Sequence, residues 1–198
     1  MFGLFKKKKK EEPVVQPASL DNLKVGAFIE FDYFEVSDLS KKSVEIKDNV
    51  RFSLPNKNYD FVDLDNYFYL RKFDSQKIEI MMELSNPQDL LDSVDEDFYN
   101  LLEIDESEIL ENGHSVELVS NERNFTVSAP STDWLKEGTY YRVDDTIDAS
   151  FGGKECRFFR FKSSDGQSFI SSVTFEGGET YFYLSKILPK RVIEDIIG

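Results

Sequence analysis

The chain has 198 residues, 40% of them apolar and 14% aromatic, which excludes a chain that is disordered throughout and fits one domain with tails. Its net charge of −14 excludes a body that binds nucleic acid through a basic surface. One cysteine, Cys156, and one histidine, His114, exclude an internal disulfide and most zinc sites, which need three or four such ligands. We therefore expect a protein of a reducing compartment that carries no cofactor.

Residues 1–19 have the composition of a flexible tail, with a lysine run and two prolines but no sustained periodicity. Their apolar residues precede the lysines, the reverse of a signal peptide, and the chain has no apolar run of 18 residues, so we predict a cytoplasmic protein. Each lysine near an anionic leaflet contributes about 1 kcal/mol of attraction, so the alternative is weak attachment to the inner face of the membrane. The residues of this candidate membrane surface are Phe2, Leu4, Phe5, Lys6, Lys7, Lys8, Lys9 and Lys10.

Folding is predicted to begin near residue 20, with a short helical turn at 20–23 followed by segments in which apolar and polar residues alternate with the period of a strand. Candidate strands before the middle of the chain lie at 27–33, 43–46, 50–54, 59–64, 67–73 and 77–84. The last three are separated by short turn signals, so we expect them to form a meander.

The middle of the chain lacks the strand pattern of the segments before it. Asn86 and Pro87 are typical of a helix start, and Asn112-Gly113 of a helix stop, so we predict short helices at 86–91 and 104–111 within an acidic insert at 86–113. Strand patterns resume at 115–119, 124–128, 140–143, 155–161, 169–175 and 180–185, and 189–197 has the spacing of a short amphipathic helix.

We count nine to eleven strands at spacings of about 8–12 residues, which is typical of a sandwich or barrel. The predicted fold is therefore mainly β, with antiparallel meander sheets forming a sandwich or partly open barrel and two or three short helices. Residues 1–19 are the tail, and 20–198 form a single domain.

Charge is unevenly distributed, because no Lys or Arg occurs between Lys77 and Arg123 while fourteen acids do. A solvated, solubilising face is one interpretation, and a docking surface for a protein partner with a basic surface is the other. The candidate partner-binding residues are Asp89, Asp92, Asp95, Glu96, Asp97, Glu103, Asp105, Glu106, Glu108 and Glu111.

Several short runs resemble the YjfK-like family of bacterial proteins, across about a third of the chain. They are Val25-Gly26-Ala27-Phe28-Ile29-Glu30-Phe31-Asp32, Val62-Asp63-Leu64, Tyr69-Leu70-Arg71-Lys72-Phe73-Asp74, Ile78-Glu79-Ile80 and Tyr141-Arg142-Val143. Lys72-Phe73 departs from the Phe-Tyr of the family pattern. The resemblance implies a bacterial cytoplasmic protein in the company of membrane-associated stress or transport proteins, and it implies no catalytic residues.

The sequence offers few candidate catalytic or metal-binding residues. Cys156 and His114 are the only residues available for a thiol dyad, and a buried thiol and a solvated imidazole are the competing interpretation. The run from Asp92 to Asp97 is acidic enough to suggest a calcium loop, but Val94 occupies a ligand position and the glycine of the sharp turn is missing. Acids are too numerous for any glycosidase pair to be chosen, and the pairs Gly152-Gly153 and Gly177-Gly178 have the context of turns.

Three functions follow from these patterns. The leading one is a non-catalytic protein-interaction module that presents its acidic segment to a basic partner, with the tail giving weak contact to an anionic membrane. The first alternative is a hydrolytic or metal-assisted enzyme whose site the sequence does not display. The second is an acidic mimic of nucleic acid, which requires carboxylates spaced as phosphates are.

Overall fold

The computed structural model of the chain describes residues 19–36, 38–64, 67–84, 90, 115–118 (backbone only) and 138–198. Twelve strands are bounded within these residues, so the prediction of a mainly β fold is confirmed. They are β1 Phe28–Phe31, β2 Ser43–Glu45, β3 Asp48–Leu54, β4 Lys57–Asp63, β5 Phe68–Lys72, β6 Lys77–Glu83, β7 Ser115–Leu118, β8 Gly138–Phe151, β9 Lys154–Ser163, β10 Ser168–Phe175, β11 Thr180–Pro189 and β12 Ile193–Ile197.

Eight strands form an antiparallel barrel in the order β3-β4-β5-β6-β11-β10-β9-β8. Two meanders of four strands each make its halves, and β6 pairs with β11 where they meet. The barrel closes between β3 and β8, where Phe52 lies opposite Phe151 and Ser53 opposite Ser150. The predicted meander through β4, β5 and β6 is confirmed, and closure decides for a barrel over a sandwich.

The interior of the barrel is filled by side chains from all eight strands. Aromatic residues dominate it: Phe52 stacks on Phe151 with ring centroids 4.2 Å apart, and Phe158 and Tyr183 contact the same ring at 5.2 Å and 6.0 Å. Met81 and Val173 pack beside these rings. Alternate residues of each strand therefore line a packed interior rather than a channel.

A second apolar cluster lies outside the barrel, on the outer faces of β5, β6, β11, β10 and β9. A three-stranded sheet in the order β12-β1-β2 covers part of it, with Ile29, Phe31 and Ile193 facing the barrel. β6 and β11 are consequently buried on both faces, which explains why Ile78 to Met82 is almost continuously apolar.

A pair of glycines identifies one of the hairpins directly from the sequence. Gly152 and Gly153 have φ of +56° and +82° and link Phe151 to its partner Lys154. A two-residue turn with positive φ at both positions matches the twist of the flanking strands, and only glycine adopts it without strain. The predicted turn here is confirmed.

The prediction of two or three short helices is wrong for the described part of the chain. Residues 189–197, predicted as an amphipathic helix, form a single 3-10 turn at Lys190–Val192 and then β12, which pairs with β1. The spacing of Val192, Ile193, Ile196 and Ile197 suits a helix, but β-branched side chains also suit a strand, and the free edge of β1 decides the outcome.

Of the other predicted elements, some are present in the structure and some lie outside the described residues. The turn at residues 20–23 is a 3-10 turn at Leu20–Asn22, capped by the Ser19 hydroxyl, and the predicted strand at 115–119 is β7. The helices predicted at 86–91 and 104–111 and the strand at 124–128 lie outside the described residues, apart from Leu90, which is buried. β8 is much longer than its predicted core at 140–143, because two register shifts carry it past a polar stretch.

Candidate functional site

A buried ion cluster crosses one end of the barrel interior. Glu79 of β6 has a side chain that is 0% exposed, and it accepts a hydrogen bond at 2.6 Å from Nη2 of Arg160 on β9, whose side chain is 2% exposed. Arg71 of β5 donates to the other carboxylate oxygen through Nε at 2.7 Å and Nη2 at 2.6 Å. Three strands of the barrel are thus joined through a single carboxylate.

The protonation state of Glu79 follows from its surroundings. Burial by itself raises the pKa of a carboxyl group, but the charges of Arg160 and Arg71 more than offset this, so the pKa of Glu79 lies below its ordinary value. Glu79 is therefore ionised at neutral pH. Both of its oxygens are engaged by guanidinium groups, which suits a structural ion pair better than a general base.

Aromatic rings enclose the two guanidinium groups. The Arg160 guanidinium carbon lies 4.1 Å from the ring centroid of Phe169 and 4.9 Å from that of Tyr59. The Arg71 guanidinium carbon lies 4.8 Å from the Tyr59 centroid. Such contacts attract cations to ring faces in a desolvated site. Tyr59 of β4 therefore holds both arginines in place beside Glu79.

The cluster continues towards solvent through Asp144. The Tyr59 hydroxyl donates to Asp144 of β8, and the exposed amine of Lys57 pairs with the same carboxylate. Burial and the hydrogen bond to Asp144 raise the pKa of Tyr59. Polar side chains from β4, β5, β6, β8 and β9 thus form one network from the barrel interior to its rim.

A smaller polar group lies towards the other end of the interior. Tyr69 donates to Glu83 at 3.3 Å, and Tyr183 contacts the same carboxyl group. Burial raises the pKa of Glu83, and the two hydroxyls offset part of this shift. Burial likewise raises the pKa of Tyr69 and of Tyr183. This group has no cation in contact with it among the described side chains.

The barrel wall is split between β4 and β5. These strands pair only at Val62 with Leu70 and at Asp63 with Tyr69, whereas β3 and β4 pair over seven positions and β5 and β6 over five. A groove of about 490 Å³ occupies the split, and it is lined by β3, β4 and β5 and by Leu23. Its size is within the range of small-molecule sites.

Cations outnumber acids in the lining of this groove. Arg51, Arg71 and Lys72 line it, with Asp60 as the acid. Arg51 pairs with Asp60 at 2.5 Å, and Lys72 pairs with Asp21 at 2.8 Å, all four side chains being exposed. Solvent screens exposed pairs of this kind, so they break easily.

A second cavity of about 380 Å³ lies at the seam where β3 meets β8. Asp148 and Glu155 contribute its acids, and Leu54, Pro55 and Ile147 its apolar wall. It contains no cation in its lining, so it adds negative potential to an acidic protein and has no feature that would hold an anion.

The residues that the sequence analysis selected are placed only in part. Cys156 lies in the barrel interior, where burial raises the pKa of its thiol to about 11. Neither described cavity is lined by it. His114, the ten candidate acids between Asp89 and Glu111 and the tail from Phe2 to Lys10 all lie outside the described residues.

Sequence reasoning missed the ion cluster, although a signal for it exists. Glu79 stands between Ile78 and Ile80, and Arg160 between Phe159 and Phe161, so each charge interrupts an otherwise apolar strand. A charge in a strand that is buried on both faces must be paired. The partner cannot be chosen from sequence, because it comes from a distant strand.

Comparisons with known proteins found no matching family model, no similar curated protein and no similar solved structure. Within residues 19–84 and 138–198, apart from their undescribed gaps, no group of three or more His, Cys, Asp or Glu side chains is placed to hold a metal ion. No helix in the described part of the chain is long and apolar enough to cross a membrane.

Proposed function

We propose that this protein is a non-catalytic interaction module, in which the barrel presents an acidic segment to a partner protein with a basic surface. The observation that carries the proposal is the position of the acids in the chain. The stretch from Lys77 to Arg123 has fourteen acids and no cation between its ends, and most of it falls in the connection between β6 and β8. This connection joins the two halves of the barrel.

Strand directions determine where that connection begins and ends. Each neighbouring pair from β6 through β11, β10 and β9 to β8 is antiparallel, so β6 and β8 point the same way. The chain leaves β6 at one end of the barrel and enters β8 at the other. The two ends of the connection therefore lie at opposite ends of the barrel, which favours a long contact surface over a single point of attachment.

The segment is fixed to the barrel at two points. Leu90 is buried in the apolar cluster outside the barrel, and β7 pairs with the start of β8, with Ser115 opposite Tyr141 and Leu118 opposite Gly138. Residues 91–114 lie between these two attachments. A segment tied at both ends loses less conformational freedom when a partner binds, which supports a binding role.

Location is part of the proposal. We infer a cytoplasmic protein of bacterial origin, as the resemblance to the YjfK-like family implies, with the tail from Phe2 to Lys10 making weak contact with anionic lipid. One apolar group followed by one basic run is a marginal anchor by itself. The tail would therefore raise the local concentration near the membrane rather than hold the protein there.

The test is a pull-down from the native cell with two matched variants. In the first, Asp95, Glu96, Asp97 and Glu103 become their amides. In the second, four exposed acids of the described body, Asp48, Asp74, Glu176 and Glu194, become theirs. We expect the first variant to lose at least about ten-fold of the recovered partner and the second to keep it, because electrostatic complementarity is local.

Cross-linking of the recovered partner to residues 91–114 would place the contact. Equal recovery by both variants and the unchanged protein would contradict the proposal. Recovery of DNA-binding proteins that added DNA displaces would instead support mimicry of nucleic acid.

A further inference from the structure

The split between β4 and β5 opens the barrel wall where the groove lies, as the short seam between β3 and β8 does at the second cavity. The ladder from Val62 and Leu70 would continue to Asp60 opposite Lys72, but the strands have separated there. In an antiparallel ladder the main-chain groups of alternate residues point to the same neighbour. The amide and carbonyl groups of Asp60 and Lys72 therefore point into the split, where they can bond to a ligand.

Charge is the second feature of the groove. Three cations, Arg51, Arg71 and Lys72, line it against one acid, in a chain whose net charge is −14. Each of these cations is paired with one carboxylate, so the groove is close to neutral on a protein that is strongly acidic overall. A near-neutral groove lined by three cations repels an anion less than the acidic remainder of the surface does, and it offers charge partners to an anion that displaces one of the carboxylates.

The three cations already show which anion suits them. Each holds a carboxylate oxygen, at 2.5 Å for Arg51 with Asp60, 2.6 Å for Arg71 with Glu79 and 2.8 Å for Lys72 with Asp21. The pairs of Arg51 and Lys72 are exposed and exchange easily, whereas Arg71 stays anchored to the buried Glu79. A ligand carboxylate can replace Asp60 or Asp21 without disturbing the barrel interior.

Apolar side chains complete the lining. Leu23 and Val50 are half-buried at the groove, above the buried Val62 and Leu70. Ligand sites are typically apolar walls with a few polar groups that fix orientation. We infer that the split between β4 and β5 binds a small organic anion, namely a carboxylate on an apolar body, with Arg51 and Lys72 as its charge partners and Arg71 at the floor.

Three probes, tested on the full chain, distinguish the contribution of charge to binding from that of apolar contact. Octanoate has both, 1-octanol has the apolar body alone, and acetate has the charge alone. We expect octanoate to shift the amide resonances of Leu23, Asp60 and Lys72 saturably in a titration followed by NMR. We expect 1-octanol and acetate to bind at least about ten-fold more weakly. Binding of 1-octanol as tight as that of octanoate would overturn the inference.

Matched variants test the residues. Arg51→Gln with Lys72→Gln removes two exposed cations of the groove, and Lys154→Gln removes an exposed cation of β9 outside it. The double variant should bind octanoate at least about ten-fold more weakly and keep an unchanged melting midpoint. Lys154→Gln should leave octanoate binding unchanged. Equal weakening by both would show non-specific attraction and overturn the inference. So would an acidic peptide that shifts these amides when octanoate does not.

Discussion

Glu79 offers a direct test of the ion cluster, because Glu79→Gln removes one charge and keeps the shape of the side chain. The side chain of Arg160 is only 2% exposed, and its Nη2 lies 2.6 Å from the Glu79 carboxylate. In the variant, Arg160 would keep its charge but lose this carboxylate. Asp144 lies opposite Arg160 in the ladder, but it is already engaged by Tyr59 and Lys57. The substitution therefore leaves a buried guanidinium uncompensated.

The expected loss is large. Removing one partner of a buried ion pair costs about 3–5 kcal/mol. A domain of this size changes its melting midpoint by about 2–4 °C per kcal/mol, so we expect a fall of about 6–20 °C. Calorimetry measures the fall in melting midpoint, and urea unfolding followed by circular dichroism measures the loss of unfolding free energy independently.

The matched control is Asp60→Asn, which removes a carboxylate from the exposed pair with Arg51. Its cost in stability should be small beside that of Glu79→Gln, because solvent screens the exposed pair. If Glu79→Gln cost no more than this control, the cluster would not be the buried, charge-paired site described above.

The pH dependence of the same variant has a definite sign. The pKa of Glu79 is lowered in the folded state, so the carboxylate contributes stability above its unfolded pKa and loses it as pH falls through the folded pKa. The difference in unfolding free energy between Glu79→Gln and the unchanged protein should be constant from about pH 7 to pH 5 and should shrink below about pH 4.3, the ordinary value for glutamate. A difference that grows on acidification would refute the reasoning.

Three further predictions concern other parts of the fold. Burial raises the pKa of Glu83, so Glu83→Gln should raise the melting midpoint at pH 8, with the gain disappearing near pH 4, where the carboxyl is protonated; a loss at pH 8 would show that its bonds to Tyr69 and Tyr183 outweigh burial. The thiol of Cys156, with its pKa raised to about 11, should react with a disulfide reagent at pH 8 more than about 100-fold slower in the folded protein than in urea, because the thiolate is the reactive form. Comparable rates would place it outside the interior. Ile29→Ala should cost about 2–5 kcal/mol and keep a single calorimetric transition, because Ile29 joins the small sheet to the barrel; two transitions would show that the sheet unfolds separately.

Local patterns predicted much of the fold because they depend on near neighbours in the chain. Alternation of apolar and polar residues located β4, β5 and β6, and Gly152-Gly153 marked the hairpin between β8 and β9. The same patterns failed at residues 189–197. A short segment with apolar residues at mixed spacing fits a helix or a strand, and the open edge of β1 made it a strand.

The candidate sites depended far more on tertiary structure. Glu79 and Arg160 are 81 positions apart, and Tyr59 and Asp144 are 85 apart, so no window of sequence contains either pair. The groove between β4 and β5 arises from strands that separate after two paired positions, which no residue pattern encodes.

By itself, the sequence determined that this chain folds into antiparallel strands with an acidic connection, since period-two alternation and net charge are properties of the chain alone. The tertiary structure decided that the strands close into a barrel, that Glu79 meets two arginines inside it, and that the wall splits beside Arg71. The physical reason is that closure and ion pairing are long-range events, selected by which buried faces and charges can be satisfied together.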